Sequence, residues 1–141
     1  MWAGINGVVR KIARMKLWID DIRPAPEGYV WCKSVHIAQH SIEMSEYNAR
    51  WFSDRAYEMN LDGRFEFAEK MGEACRDNFI ELIDIDHDAG DYVKDGGDYI
   101  KLLDWLEETG RNYPIRIHSA NPVGVQNMRR IIQRNNWQEV F

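Results

Sequence analysis

Three short apolar runs in this chain end in acids or in a histidine-serine pair, and that pattern narrows the folds open to it. The runs are MKLWIDDIRP, closing on Asp20 and Asp21; IELIDIDHDAG, carrying Asp84, Asp86 and Asp88; and IRIHSANPVG, carrying His118 and Ser119. A short, continuous apolar run bounded by turn residues suits a strand buried on both faces. Such strands belong to parallel sheets, whose carboxyl ends open on one crevice where α/β proteins bind ligands. Carboxylates gathered there without basic partners repel one another unless a divalent cation sits among them.

Between these runs the pattern alternates. Arg23 to Gly28, with two prolines and a glycine, is a loop, and Tyr29 to Lys33 is a second strand. Ser34 caps a helix with Val35, Ala38 and Ile42 on one face. Met44, Tyr47 and Trp51 continue the stripe, Leu61-Asp62-Gly63 breaks it, and Phe65, Ala68, Met71 and Cys75 begin another. The aromatic residues of these stripes are expected in a core. Phe79 to Ile85 is a central strand. Tyr99, Leu102 or Leu103, and Leu106 mark a helix ending at Thr109-Gly110. Ile115 to His118 is a further strand, and Asn121-Pro122 supplies the cap and first turn of a last helix carrying Val125, Met128, Ile131 and Ile132. Trp137 to Phe141 forms either a final strand or a cover for the core's edge. Strands alternating with helices predict a mostly parallel sheet of four to five strands with helices on both sides. The connection between the first two strands is short for a parallel crossover, which makes it the weakest joint.

A length of 141 residues suits one domain. We place it at residues 15–141, with an extended helical region at about 42–78 and an N-terminal extension at 1–14. In that extension Arg10, Lys11 and Arg14 follow the apolar residues, the reverse of a secretory signal. Trp2, Ile5, Val8 or Val9, and Ile12 are also spaced for a short amphipathic helix. A net charge of −5 argues against duplex DNA binding, although it leaves room for one nucleotide or an RNA end held through a metal. Cys32 and Cys75 are too few for a disulfide scaffold, and a cytoplasmic location is the simplest reading. No membrane span is expected, and the oligomeric state is open.

Eight acidic residues and one basic residue, Lys94, lie between Asp77 and Asp98. Asp91, Asp95 and Asp98 are expected to face water. Asp86 and Asp88 flank the point where the strand ends, and with Asp20 and Asp21 they offer hard oxygen ligands for Mg2+ or Mn2+. The alternative is structural: one carboxylate caps a turn and another pairs with Arg23. His87 and His118 stand beside those acids and suit proton transfer in phosphoester chemistry, or ligation of a transition metal. His36 and His40 read as surface or packing residues. Ser119, Asn121 and the first amides of the last helix form an anion pocket, with Arg23 contributing positive charge.

Those segments together resemble the cyclic-phosphate processing receiver-like family, related to response-regulator receiver domains. The matching stretches are MKLWIDDIRPAPEGYVWCKSV, IDIDHDAG with its trailing GGDYIKLLDWLEE, and IRIHSANPVGVQNMRRIIQRNNW. The resemblance implies a receiver-like, flavodoxin-like three-layer α/β sandwich. By position, Asp20 and Asp21 match the receiver's metal-binding acids, Asp86 its phosphate-accepting aspartate, and Ser119 its strand-end hydroxyl. Two departures stand out: no lysine ends the last candidate strand, and histidines occupy 87 and 118. Both favour hydrolysis over a phospho-switch. The resulting expectation is a metal-dependent phosphoesterase acting on a cyclic nucleotide or an RNA cyclic-phosphate end. In it Asp20, Asp21, Asp86 and Asp88 hold metal; His87, His118 and Asp86 are catalytic; and Arg23, Ser119 and Asn121 bind phosphate. The rivals are a signalling module phosphorylated on Asp86 and a cyclic-nucleotide-binding protein without turnover.

Overall fold

The structure, a computed structural model, describes residues 2–3, 9–10 and 14–141. Two-residue strands β1 (Trp2–Ala3) and β2 (Val9–Arg10) pair antiparallel, Trp2 opposite Arg10. Extended backbone at these residues replaces the amphipathic helix considered for the extension, whose other positions lie outside the described residues.

The main sheet contains β3 (Met15–Ile19), β4 (Tyr29–Cys32), β5 (Ile80–Ile85) and β6 (Ile115–Ile117), in the order β4-β3-β5-β6 and all parallel. Ile115 also forms a parallel bridge to Glu139, so the C-terminal segment occupies a fifth position as a single bridge rather than a full strand. Counted in chain order, the positions run 2-1-3-4-5, the flavodoxin-like arrangement. The ladder continues past the strand ends: the amides of Asp20, Asp86 and His118 donate to the carbonyls of Cys32, Ile19 and Ile85. That continuation sets Asp20, Asp86 and His118 side by side at one edge.

Alternation along the strands decides what is buried. Leu17, Ile19, Cys32, Ile83, Ile85 and Ile115 have no exposed surface. They share a core with Val35, Ala38, Ile42, Leu102, Leu103, Leu106, Met128 and Ile132. Each Leu, Ile, Val or Met among them contributes about 1.5–3 kcal/mol by leaving water.

The joint between β3 and β4 contains no helix. Four strand steps need only ~13 Å, well within the reach of residues 20–28. The loop is pinned rather than packed. Asp20 Oδ1 accepts from the amides of Ile22 and Arg23, both at 2.9 Å. Trp18 Nε1 donates to the Arg23 carbonyl at 2.9 Å, and Trp31 Nε1 to the Asp20 carbonyl at 2.7 Å.

The described residues also form helices α1 (Val35–Leu61), α2 (Phe65–Asp77), α3 (Ile100–Glu108) and α4 (Pro122–Arg134), with a 3-10 turn at Gly90–Tyr92. Ser34 Oγ accepts from the Ile37 amide at 3.1 Å and so caps α1 as the sequence predicts. The chain divides into two compact units: Lys16–Ile42 with Ile80–Phe141, and Met1–Met15 with Glu43–Phe79. In the second unit the core expectation for the aromatic stripe is overturned. Tyr47 is 64% and Phe65 68% exposed, and the buried residues within 43–79 are Ser45, Ala49 and Ala68. Helical periodicity defines a stripe but not a partner to cover it.

Candidate metal and phosphate site

All the chemistry-bearing side chains predicted from the sequence lie in the sheet unit. Asp20, Asp21 and Asp86 each bring a carboxylate oxygen within 4.8 Å of the others. Asp20 and Asp86 are buried and Asp21 half-buried. Burial pushes the Asp20 carboxyl up, but the Arg23 and Ile22 amides and the His118 ring outweigh it and hold the group below its usual range. Asp21 goes the other way: burial, with the negative charges of Asp20 and Asp86, raises it. An acid whose ionisation is opposed by two neighbouring carboxylates is the group a cation would relieve. The donors are all hard oxygens, which fits Mg2+ or Mn2+.

Gly90 closes the cradle. It holds φ +53, and a Cβ there would stand 2.2 Å from Asp21 Oδ2. Tyr99, fully buried, donates its hydroxyl to the Lys33 carbonyl at 2.7 Å. Burial and the charges of Asp21, Asp20 and Asp86 push its phenol up, so it stays neutral beside the cluster.

His118 is held between two buried carboxylates. Its Nδ1 lies 2.6 Å from Asp84 Oδ1 and its Nε2 2.9 Å from Asp20 Oδ2. Carboxylates only accept, so both contacts are hydrogen bonds when both ring nitrogens carry hydrogen. The ring lies flat on Trp18, centroids 3.8 Å apart and planes within 6°. Arg116 Nη1 approaches Asp84 from the other side at 3.4 Å. Neither nitrogen of His118 is open to a ligand. Asp84 was visible in the sequence as part of the acidic run but had no role there. The signal was its spacing: two residues before Asp86, it shares that residue's face of the strand.

His87 is arranged differently. Its Nδ1 is 2.8 Å from Asp88 Oδ1, and its backbone amide donates to Asp86 Oδ1 at 2.7 Å. Its ring rests on Gly124 of α4, where a Cβ would lie 2.4 Å from Cγ. Nε2 has no hydrogen-bond partner among the described residues. Asp88 therefore stands outside the carboxylate cluster and serves the His87 ring, with Asn121 Nδ2 at 3.4 Å from both of its oxygens.

The predicted anion pocket is partly committed to the fold. Asn121 Oδ1 accepts from the Gly124 amide at 3.0 Å, capping α4, and Ser119 Oγ accepts from the Asn121 amide at 3.1 Å. Arg23, half exposed, reaches Asp20 Oδ2 at 3.8 Å. Asp20 thus performs the structural role weighed against metal binding, capping a turn and facing Arg23, and also stands in the cluster. Two of the acids expected to face water also bond within the fold: Asp95, its side chain still 48% exposed, accepts from Ser34 Oγ and faces His36 Nδ1, and half-buried Asp98 accepts from the Ala89 amide. Both fasten the loop after β5, and they explain its acids without invoking a ligand.

A family described as the cyclic-phosphate processing receiver domain matches residues 15–134. No curated protein and no solved structure gives a significant match. Among the described residues no helix is long and apolar enough to cross a membrane.

Proposed function

Because the chain belongs to the cyclic-phosphate processing receiver domain family, we propose that it is a metal-dependent phosphoesterase that opens a cyclic phosphate on a nucleotide or RNA end. The observation that carries this reading is the meeting of Asp20, Asp21 and Asp86 at the strand ends where His87 and its partner Asp88 also stand. Asp21 and Asp86 are the main ligands of Mg2+ or Mn2+, with Asp20 beside them. When bound, such a cation polarises a phosphoryl oxygen and lowers the pKa of water.

The proton chemistry falls to His87. Its Nε2 takes a proton from the attacking water while Asp88 steadies Nδ1. The water oxygen bonds to phosphorus, one ring P–O bond breaks, and His87 returns the proton to the released oxygen. His118, both nitrogens occupied by carboxylates, positions Asp20 rather than exchanging protons with substrate. Arg23 and the Ser119 hydroxyl hold phosphate oxygens, the latter with its own hydrogen since its oxygen accepts from Asn121. Asn121 orients Asp88 and the start of α4.

The test is a screen of 2′,3′- and 3′,5′-cyclic nucleotides with Mg2+ or Mn2+, with products identified. Turnover that falls at least a hundredfold in both Asp86→Asn and His87→Ala supports the reading. A stable acid-labile adduct on Asp86 with a small phosphodonor, and no turnover, selects the signalling alternative instead.

A further inference from the structure

Away from the fully buried Leu17, Ile19 and Cys32, the opposite face of the same two strands presents Lys16 and Trp18 from β3 and Tyr29 and Trp31 from β4. In register, Lys16 stands opposite Tyr29 and Trp18 opposite Trp31. A parallel crossover ordinarily lays a helix over such a pair, but here the connection is the pinned loop at 20–28. All four side chains remain only half-buried.

The rings are organised and attended by cations. Tyr29 meets Trp18 edge-on at 5.8 Å. Lys16 Nζ lies 5.5 Å from the Tyr29 ring centre and Lys33 Nζ 4.5 Å from that of Trp31. Arg116, on the same side through its contact with Asp84, has a side chain 48% exposed. Lys16, Lys33 and Arg116 thus border the rings, Arg116 through its pairing with Asp84.

That face is continuous with the acidic cluster. Trp31 Nε1 bonds the Asp20 carbonyl, Trp18 Nε1 bonds the Arg23 carbonyl, and the His118 ring lies between Trp18 and Asp20 Oδ2. Aromatic rings on an open sheet, bordered by Lys and Arg, are the surface that stacks unpaired bases.

We propose that the Trp18–Tyr29–Trp31 face is the platform for the nucleobase of the ligand whose cyclic phosphate sits at Asp20, Asp21 and Asp86. It rests on the phosphoesterase reading and specifies the substrate as a nucleoside cyclic phosphate recognised by stacking. Stacking tolerates every base, so the face selects nucleosides over base-free phosphates with little preference among bases.

The experiment is calorimetric titration of the full chain with Mg2+, using three probes: adenosine 2′,3′-cyclic monophosphate, glycerol 1,2-cyclic phosphate and adenosine. The cyclic nucleotide is expected to bind at least tenfold tighter than the base-free probe. Trp31→Leu and Trp31→Phe both lose the bond to the Asp20 carbonyl, so the ring is read from the pair: the nucleotide should bind Trp31→Leu about 5- to 100-fold more weakly than Trp31→Phe, while the base-free probe binds the two variants alike. Lys33→Ala, which breaks no side-chain hydrogen bond among the described residues, should weaken the nucleotide severalfold and serves if the Trp31 variants misfold. Equal binding of nucleotide and base-free probe by the wild type, or equal binding of the nucleotide by Trp31→Leu and Trp31→Phe, overturns the platform and leaves the phosphoesterase reading standing. Adenosine binding as tightly as the cyclic nucleotide, in a Trp31-dependent way, retains the platform and removes the phosphate reading. Binding of neither nucleotide nor adenosine overturns the platform outright.

Discussion

Replacing His118 with Phe removes the hydrogen bonds that join Asp20 to Asp84 while keeping an aromatic ring on Trp18. Asp84 has no exposed surface and Asp20 1%. Among the described residues Asp84 retains only the 3.4 Å contact from Arg116, and Asp20 keeps the amides of Ile22 and Arg23. Removing one member of a buried charged set costs about 3–5 kcal/mol, because the charge left behind stays desolvated. Against a total stability of about 5–15 kcal/mol, that is a large fraction, and it corresponds to a fall in Tm on the order of 10 °C. Adding Asp84→Asn to His118→Phe should restore part of the loss, since the second substitution removes one stranded charge. Urea unfolding followed by circular dichroism on the wild type, both single variants and the double gives the coupling, expected at about 1–3 kcal/mol. A loss under about 1 kcal/mol for His118→Phe, or strictly additive effects, would show that the bridge across Asp20 and Asp84 does not hold the site.

Gly90→Ala should cost about 1–2 kcal/mol for its left-handed backbone, and the new Cβ must drive Asp21 from its place, so Mg2+ affinity falls at least tenfold by calorimetry. Unchanged affinity would remove Asp21 from the ligand set. Gly124→Ala places a Cβ against the His87 ring, and turnover of any cyclic phosphate cleaved by the wild type should fall while Mg2+ binding is kept. Equal loss of both would mean α4 has shifted as a whole. The Arg134 and Asn135 hydrogen bonds lower the Glu107 carboxyl to about 2 from its ordinary 4.5. A depressed acid stabilises the fold above its unfolded value, and that contribution disappears as pH falls from about 4.5 towards 2. Glu107→Gln should therefore flatten the Tm–pH curve across that window and lower Tm at neutral pH.

Much of this arrangement is legible in the sequence, for a local reason. Asp20, Asp86 and His118 each follow an apolar run directly, so once those runs become parallel strands their ends must meet. Ser34, the break at Leu61-Asp62-Gly63 and the Asn121-Pro122 cap rest on interactions within a few residues and read equally well. What stayed hidden depends on partners far along the chain. The bond between Asp84 and His118 spans 34 residues, and that between Ser34 and Asp95 spans 61. Nothing in the local pattern tells a clamped imidazole from a free one. The same gap explains the aromatic stripe of α1: its spacing is helical, yet whether Tyr47 meets a partner is a tertiary matter.

The proposed site needs three carboxylates from two distant segments to act together on one cation. Titration of the metal-stripped chain with Mn2+, read by electron paramagnetic resonance, tests it most directly. One ion should bind per chain, with affinity reduced at least tenfold in Asp21→Asn and in Asp86→Asn and unchanged in Asp91→Asn, whose side chain lies outside the cluster. Binding that is absent in the wild type, or that survives both cluster substitutions undiminished, would contradict it.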